Sequence, residues 1–187
     1  MTDLSGRIWL ITGPREVGKT RFCTHLVTEA QKRGLKIAGV LSPPRWVDGQ
    51  KTAIEIINLS NQEQWVLATR RVGDESGMGT EHWVFDPEVT EWGNQVLSHP
   101  HGCDLLIIDE LGPLELLHGA GWQKAFSTIN DRKYQVAVVV IRPELLEKGL
   151  GRWPEARILK IDPEMDERSE SALIEQVIDS VSEAKHQ

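Results

Sequence analysis

An α/β fold of three layers, with a mostly parallel sheet and one inserted antiparallel hairpin, is predicted by three observations. Strand-like and helix-like segments alternate along most of the chain. Residues 103–110 and 134–141 are nearly continuous apolar runs, the pattern of strands buried on both faces. Between the first strand-like run and the first helical pattern lies Gly13-Pro14-Arg15-Glu16-Val17-Gly18-Lys19-Thr20, which satisfies the phosphate-loop pattern G-x-x-x-x-G-K-[ST].

The first run, residues 7–12, reads as a buried strand. After the loop, Phe22, Leu26 and Ala30 recur at i, i+4, i+8, with Val27 beside them, so a helix is expected over 18–33 with Gly34 as its stop. A strand follows at 36–42, ended by Pro43-Pro44. Residues 51–58 and 64–70 are rich in strand formers and are separated by turn residues, which predicts a hairpin at an antiparallel edge of the main sheet. Residues 72–79 hold three glycines and two acids and read as a mobile loop.

A short strand is expected at 81–85. Asp86 then caps a helix whose first position is Pro87, with Val89, Trp92, Val96 and Leu97 on its core face. The strand at 104–109 comes next, followed by a helix at 119–130 and a strand at 134–141. Arg142-Pro143-Glu144 opens a short helix. A strand at 156–161 precedes a last helix with the stripe Leu173, Ile174, Val177, Ile178, Val181.

The loop names a ligand class, nucleoside triphosphates such as ATP and GTP. Closely spaced phosphate oxygens need converging donors of little bulk. Gly13 and Gly18 let successive backbone N–H groups turn inward, and the following helix aims its positive end at the phosphates. Lys19 is expected to reach the β- and γ-phosphates and Thr20 to offer its hydroxyl to Mg²⁺. Pro14, Arg15, Glu16 and Val17 line the loop.

The acids Asp109 and Glu110 end a predicted central strand at the edge where open α/β sheets bind ligands. Asp109 is the candidate Mg²⁺ residue. Glu110 is the candidate base for the attacking water.

The stretch Asp109-Glu110-Leu111-Gly112-Pro113-Leu114-Glu115-Leu116 resembles the D-E-[IL]-G-x-[ML]-E-L signature of a family of small P-loop nucleoside-triphosphatases, the cancer-related nucleoside-triphosphatase family. Residues 36–42, 48–56 and 79–85 resemble further family segments in the same order, so the likeness spans about residues 7–145. It implies a P-loop nucleoside-triphosphatase domain with slow, Mg²⁺-dependent hydrolysis and broad base selectivity. It implies the roles already given for Gly13–Thr20, Asp109 and Glu110, and it makes Glu115 a further acidic position. Where the family has Arg followed by Gly-Phe, this chain has Lys51 followed by Ala53-Ile54. Glu81 stands where the family has an aromatic residue.

Other residues keep two readings. Arg142 is a γ-phosphate sensor or a surface ion-pair residue. Arg70 and Arg71 are a phosphate-clamping lid or an exposed strand end. Lys51 is a phosphate contact or a surface lysine, and Trp46 is a base platform or a loop anchor. The His99-Pro100-His101-Gly102-Cys103 stretch lacks the second cluster that a structural zinc site needs. Two rivals to hydrolysis use the same loop: a small-molecule or nucleic-acid kinase, and a nucleotide-gated switch acting with a protein partner.

The chain has 187 residues, enough for one domain over 1–187. A net charge of −7 argues against a broad nucleic-acid surface. No apolar run approaches the roughly 18 residues of a membrane span, and residues 1–7 lack signal-peptide features. Cys23 and Cys103 read as reduced core thiols. A cytoplasmic protein is expected.

Overall fold

The computed structural model describes residues 7–73, 76–99 and 102–185. Its strands are β1 (Ile8–Thr12), β2 (Ile37–Leu41), β3 (Pro44–Val47), β4 (Gln50–Asn58), β5 (Gln64–Arg70), β6 (Trp83–Phe85), β7 (Cys103–Leu111), β8 (Tyr134–Ile141) and β9 (Arg157–Lys160). The helices are α1 (Lys19–Lys32), α2 (Pro87–Ser98), α3 (Pro113–Leu116), α4 (Gln123–Asp131), α5 (Leu146–Arg152) and α6 (Glu167–Lys185), with a 3₁₀ turn at Pro143–Leu145 before α5.

The strands form one sheet in the order β6-β5-β4-β2-β7-β8-β1-β9, with β3 paired to β4. The β2-β7-β8-β1-β9 block is parallel throughout. β8 therefore lies between the strand that feeds the phosphate loop and the strand that carries Asp109.

Alternation along these strands builds the layers. Ile8, Leu10, Leu106, Ile108, Ala137 and Val139 point to one face, where they meet Val89 and Leu97 of α2, Ala125 and Ile129 of α4, and Trp153 beyond α5. Trp9, Ile11, Leu105, Ile107, Val136 and Val138 point to the other face. There they meet Phe22, Leu26 and Ala30 of α1 and the predicted stripe of α6. The Trp9 indole also donates to Ser180 Oγ at 3.2 Å, fixing β1 to α6. A sheet with two apolar faces and helices on each is the predicted three-layer sandwich.

The predicted hairpin is β4–β5, and it extends the parallel block at the β2 edge. Two further strands join it. β6 pairs with β5, and β3 pairs with β4 on the other side. The sequence reading of 43–46 as a loop is corrected here. Proline lacks a donor, but at an edge strand that donor is dispensable, so Pro44 begins β3 and Trp46 stands on a strand.

The helix expected at 119–130 is also corrected: α4 begins only at Gln123. The Glu115 carboxylate accepts from Trp122 N at 3.0 Å, and Asn94 of α2 donates to Gly121 O at 2.9 Å. These bonds hold residues 121–122 in a turn instead. Asp86 caps α2 as expected, accepting from Glu88 N at 2.9 Å and Val89 N at 3.1 Å. Asp74 and Glu75 of the predicted loop 72–79 and Pro100 and His101 of the histidine segment lie outside the described residues.

Candidate active site

The phosphate loop leaves the carboxyl end of β1 and turns into α1. Gly13 is at φ 157°, and a Cβ there would sit 2.4 Å from the Ile161 carbonyl oxygen, so only glycine lets β1 and the end of β9 come this close. Gly18, at φ 100°, is the N-cap of α1 and makes the last bend into the helix. Gly13 is buried, whereas Pro14, Arg15 and Glu16 are exposed and Val17 is half-buried.

Lys19 and Thr20 open α1. The Lys19 ammonium is buried and turns back onto the loop, donating to Gly13 O at 2.8 Å and Pro14 O at 2.7 Å. Burial lowers it below the ordinary lysine value, opposed in part by the Glu110 charge. The Thr20 hydroxyl lies 3.3 Å from Asp109 Oδ1. This contact spans the width of β8 and brings the loop onto the end of β7.

Asp109 is 1% exposed. Its second oxygen, Oδ2, accepts from the backbone N–H of Ser42 at 3.1 Å. Burial raises its carboxyl to about 7, aided by Glu110 and opposed by the Ser42 and Thr20 hydrogen bonds and by the Lys19 charge. Ser42, just past β2, is a site neighbour that sequence reasoning missed. Its Oγ is buried and has no hydrogen-bond partner among the described residues. The available signal was its position: β2 and β7 are parallel neighbours, so their carboxyl ends share one edge.

The predicted acids lie near the carboxyl end of β7, which runs on to Leu111. Glu110 is partly exposed, and its Oε1 accepts from Arg142 Nε at 2.9 Å. Arg142 follows β8 and thus reaches the same end of the sheet as Asp109. Glu115 has a different place. It is 7% exposed and its Oε2 accepts from Gly112 N at 2.8 Å while Oε1 accepts from Trp122 N. Burial raises its carboxyl above the ordinary glutamate value, against the pull of those N–H groups. It braces the turn after β7.

The other candidates divide. Arg71 Nε donates to Thr80 O at 3.1 Å, so its guanidinium ties the ribbon together. Arg70 is exposed at the end of β5. Trp46 is 58% exposed on β3. Lys51 lies 5.0 Å from the centre of the Trp83 ring, across the ribbon from β4 to β6.

Nucleoside-triphosphatase THEP1 of Caldivirga maquilingensis is 28% identical over 131 residues, covering 70% of this chain and 73% of that protein. The solution structure of a human cancer-related nucleoside triphosphatase superposes with a TM-score of 0.71 at 18% identity, over 94% of this chain and 97% of that one. The crystal structure of THEP1 from the hyperthermophile Aquifex aeolicus gives 0.64 at 18% identity, over 91% and 98%. At that identity the two structures establish the fold. The family model described as NTPase matches residues 8–177, and the chain therefore belongs to the NTPase family.

Proposed function

We propose that this chain is an Mg²⁺-dependent nucleoside-triphosphatase that releases phosphate from several nucleoside triphosphates. The family supports the nucleoside-triphosphatase activity. The observation that carries the mechanistic reading is the Thr20–Asp109 contact at 3.3 Å, which joins a phosphate loop to an acidic strand end across an intervening strand. Among the described residues no helix is long and apolar enough to cross a membrane. A cytoplasmic setting belongs to the proposal and is supported by two buried, unpaired cysteines.

The residues fit a magnesium ion. Thr20 Oγ1, the Asp109 carboxylate and the unpartnered Ser42 Oγ are hard oxygen donors grouped at one sheet edge. Asp109 and Thr20 would hold it. Bound there, it would supply positive charge to the triphosphate.

The chain's own residues do the rest. The N–H groups between Gly13 and Thr20 and the amino end of α1 receive the phosphate chain. Lys19 exchanges its two carbonyl acceptors for phosphate oxygens, so its ammonium is never left without partners. Glu110 accepts a proton from water as the water oxygen bonds to the γ-phosphorus. The bond from that phosphorus to the β–γ bridging oxygen breaks, giving a nucleoside diphosphate and inorganic phosphate. Arg142 holds the Glu110 carboxylate in position. Most of the rate comes from positioning and charge stabilisation.

The test is phosphate release from ATP, GTP, CTP and UTP, each with and without Mg²⁺. Metal-dependent release from several nucleotides is expected. Release from one base alone would overturn broad selectivity. Tight binding without release would favour a kinase lacking its acceptor or a switch lacking its partner.

A further inference from the structure

β4 runs antiparallel to β2, with Leu41 opposite Ile57 and Val40 opposite Asn58. Residues of β4 before Ile57 therefore continue past the carboxyl end of β2, the edge at which Ser42 N holds Asp109. Glu55 N donates to Pro43 O at 2.9 Å, and β3 accompanies β4 from there. The outer half of the β3–β4–β5–β6 ribbon thus projects beyond the parallel block on the ligand side.

Lys51 stands on this projecting half, opposite Trp46 in the β3–β4 register. Its side chain is half-buried. Its ammonium makes no hydrogen bond or ion pair among the described residues, and its contact is the face of Trp83. The charges that act on it are Glu16 of the loop, Glu110 and Asp109 of β7, and Arg142 after β8. Glu110, Arg142 and Asp109 act on Lys19 as well. Two ammonium groups, one at the start of α1 and one on the ribbon, therefore lie within electrostatic reach of the same acidic edge. Burial lowers Lys51 below the ordinary lysine value, and the nearby carboxylates oppose that.

A half-buried cation that is seated on a ring and has no anion of its own is poised for an incoming one. Resting on the nucleotide seat proposed above, we infer that Lys51 is a ligand for the γ-phosphate, delivered by the antiparallel ribbon to the ligand side of the sheet. Trp83 holds the ammonium in place through its π face, which spares the cost of ordering a long side chain. Lys51 then binds the triphosphate and its transition state but has nothing to grip on a diphosphate. The ribbon, which projects past the carboxyl end of β2, then becomes part of the active site.

The test compares ADP with ADP plus fluoroaluminate, a mimic of the γ-phosphoryl group, in Mg²⁺ buffer. Affinities are measured for wild type, Lys51→Gln and Lys51→Arg. ADP affinity should be the same within about twofold in all three, which also reports that each is folded. Fluoroaluminate should tighten ADP binding to wild type, and Lys51→Gln should lose about 10²-fold of that tightening, as for removal of one transition-state donor. Lys51→Arg should recover part of it. Equal tightening in wild type and Lys51→Gln would overturn the role of Lys51 while leaving the seat intact. Failure of wild type to bind ADP would instead overturn the seat, and this inference with it.

Discussion

Arg142 and Glu110 form an ion pair, Nε to Oε1 at 2.9 Å, that joins the ends of two adjacent parallel strands at the acidic edge of the sheet. Neither residue is deeply buried, so the pair contributes little to stability. Its consequence is geometric: the carboxylate proposed as the base is held by a group on the neighbouring strand.

Arg142→Ala should therefore leave the melting temperature nearly unchanged and lower kcat by about 10²-fold, the cost of a modest misplacement of a catalytic group. KM should move far less than kcat, and Arg142→Lys should restore part of the rate. Steady-state kinetics with ATP check this. An unchanged kcat would mean that Glu110 needs no such support.

Lys19→Ala should act on binding. Its ammonium is buried against the loop carbonyls of Gly13 and Pro14 and has no other partner among the described residues. The variant should keep its fold, since those two bonds tie the side chain only to the loop between β1 and α1, and should lose ATP and ADP affinity together. Equilibrium binding of fluorescent nucleotides measures this, and wild-type affinity would remove the loop from the nucleotide seat.

Glu115 offers a stability test that is independent of catalysis. Its two oxygens accept the Gly112 and Trp122 N–H groups inside the fold. Glu115→Gln sets an amide donor against one of them and should cost about 1–3 kcal/mol. The pH dependence has a definite sign. Burial raises the Glu115 carboxyl, so the folded chain holds its proton more tightly than the unfolded chain. Its contribution is then fullest below the ordinary glutamate value of about 4.3 and declines as pH rises through the raised value. Glutamine does not titrate. The gap in unfolding free energy between wild type and Glu115→Gln should narrow as pH rises, which urea melts across that range can follow. A gap that widens with pH would contradict the burial argument.

Much of this site could be read from the chain because its parts are local. The loop, the strand before it and the helix after it occupy one stretch, and Asp109 and Glu110 close an apolar run that reads as a buried central strand. The three layers follow from alternation in runs such as Ile8–Thr12, whose residues divide between two cores. What escaped the sequence depends on distant pairing. Pro44 looks like a breaker until β4 lies beside it and makes it an edge residue. Ser42 has no motif of its own, and only the parallel register of β2 with β7 puts it on Asp109. Glu115 sits in the same acidic signature as Glu110, yet its side chain turns inward to backbone donors. A string of residues does not distinguish those two directions.

In the proposed mechanism Glu110 accepts the proton of the attacking water while the loop holds the nucleotide. Single-turnover hydrolysis of ATP by Glu110→Gln, with ATP affinity measured on the same sample in Mg²⁺, tests it most directly. Affinity should stay close to wild type while hydrolysis slows about 10²–10⁴-fold, the usual cost of losing a general base. Hydrolysis at the wild-type rate with the same affinity would contradict it.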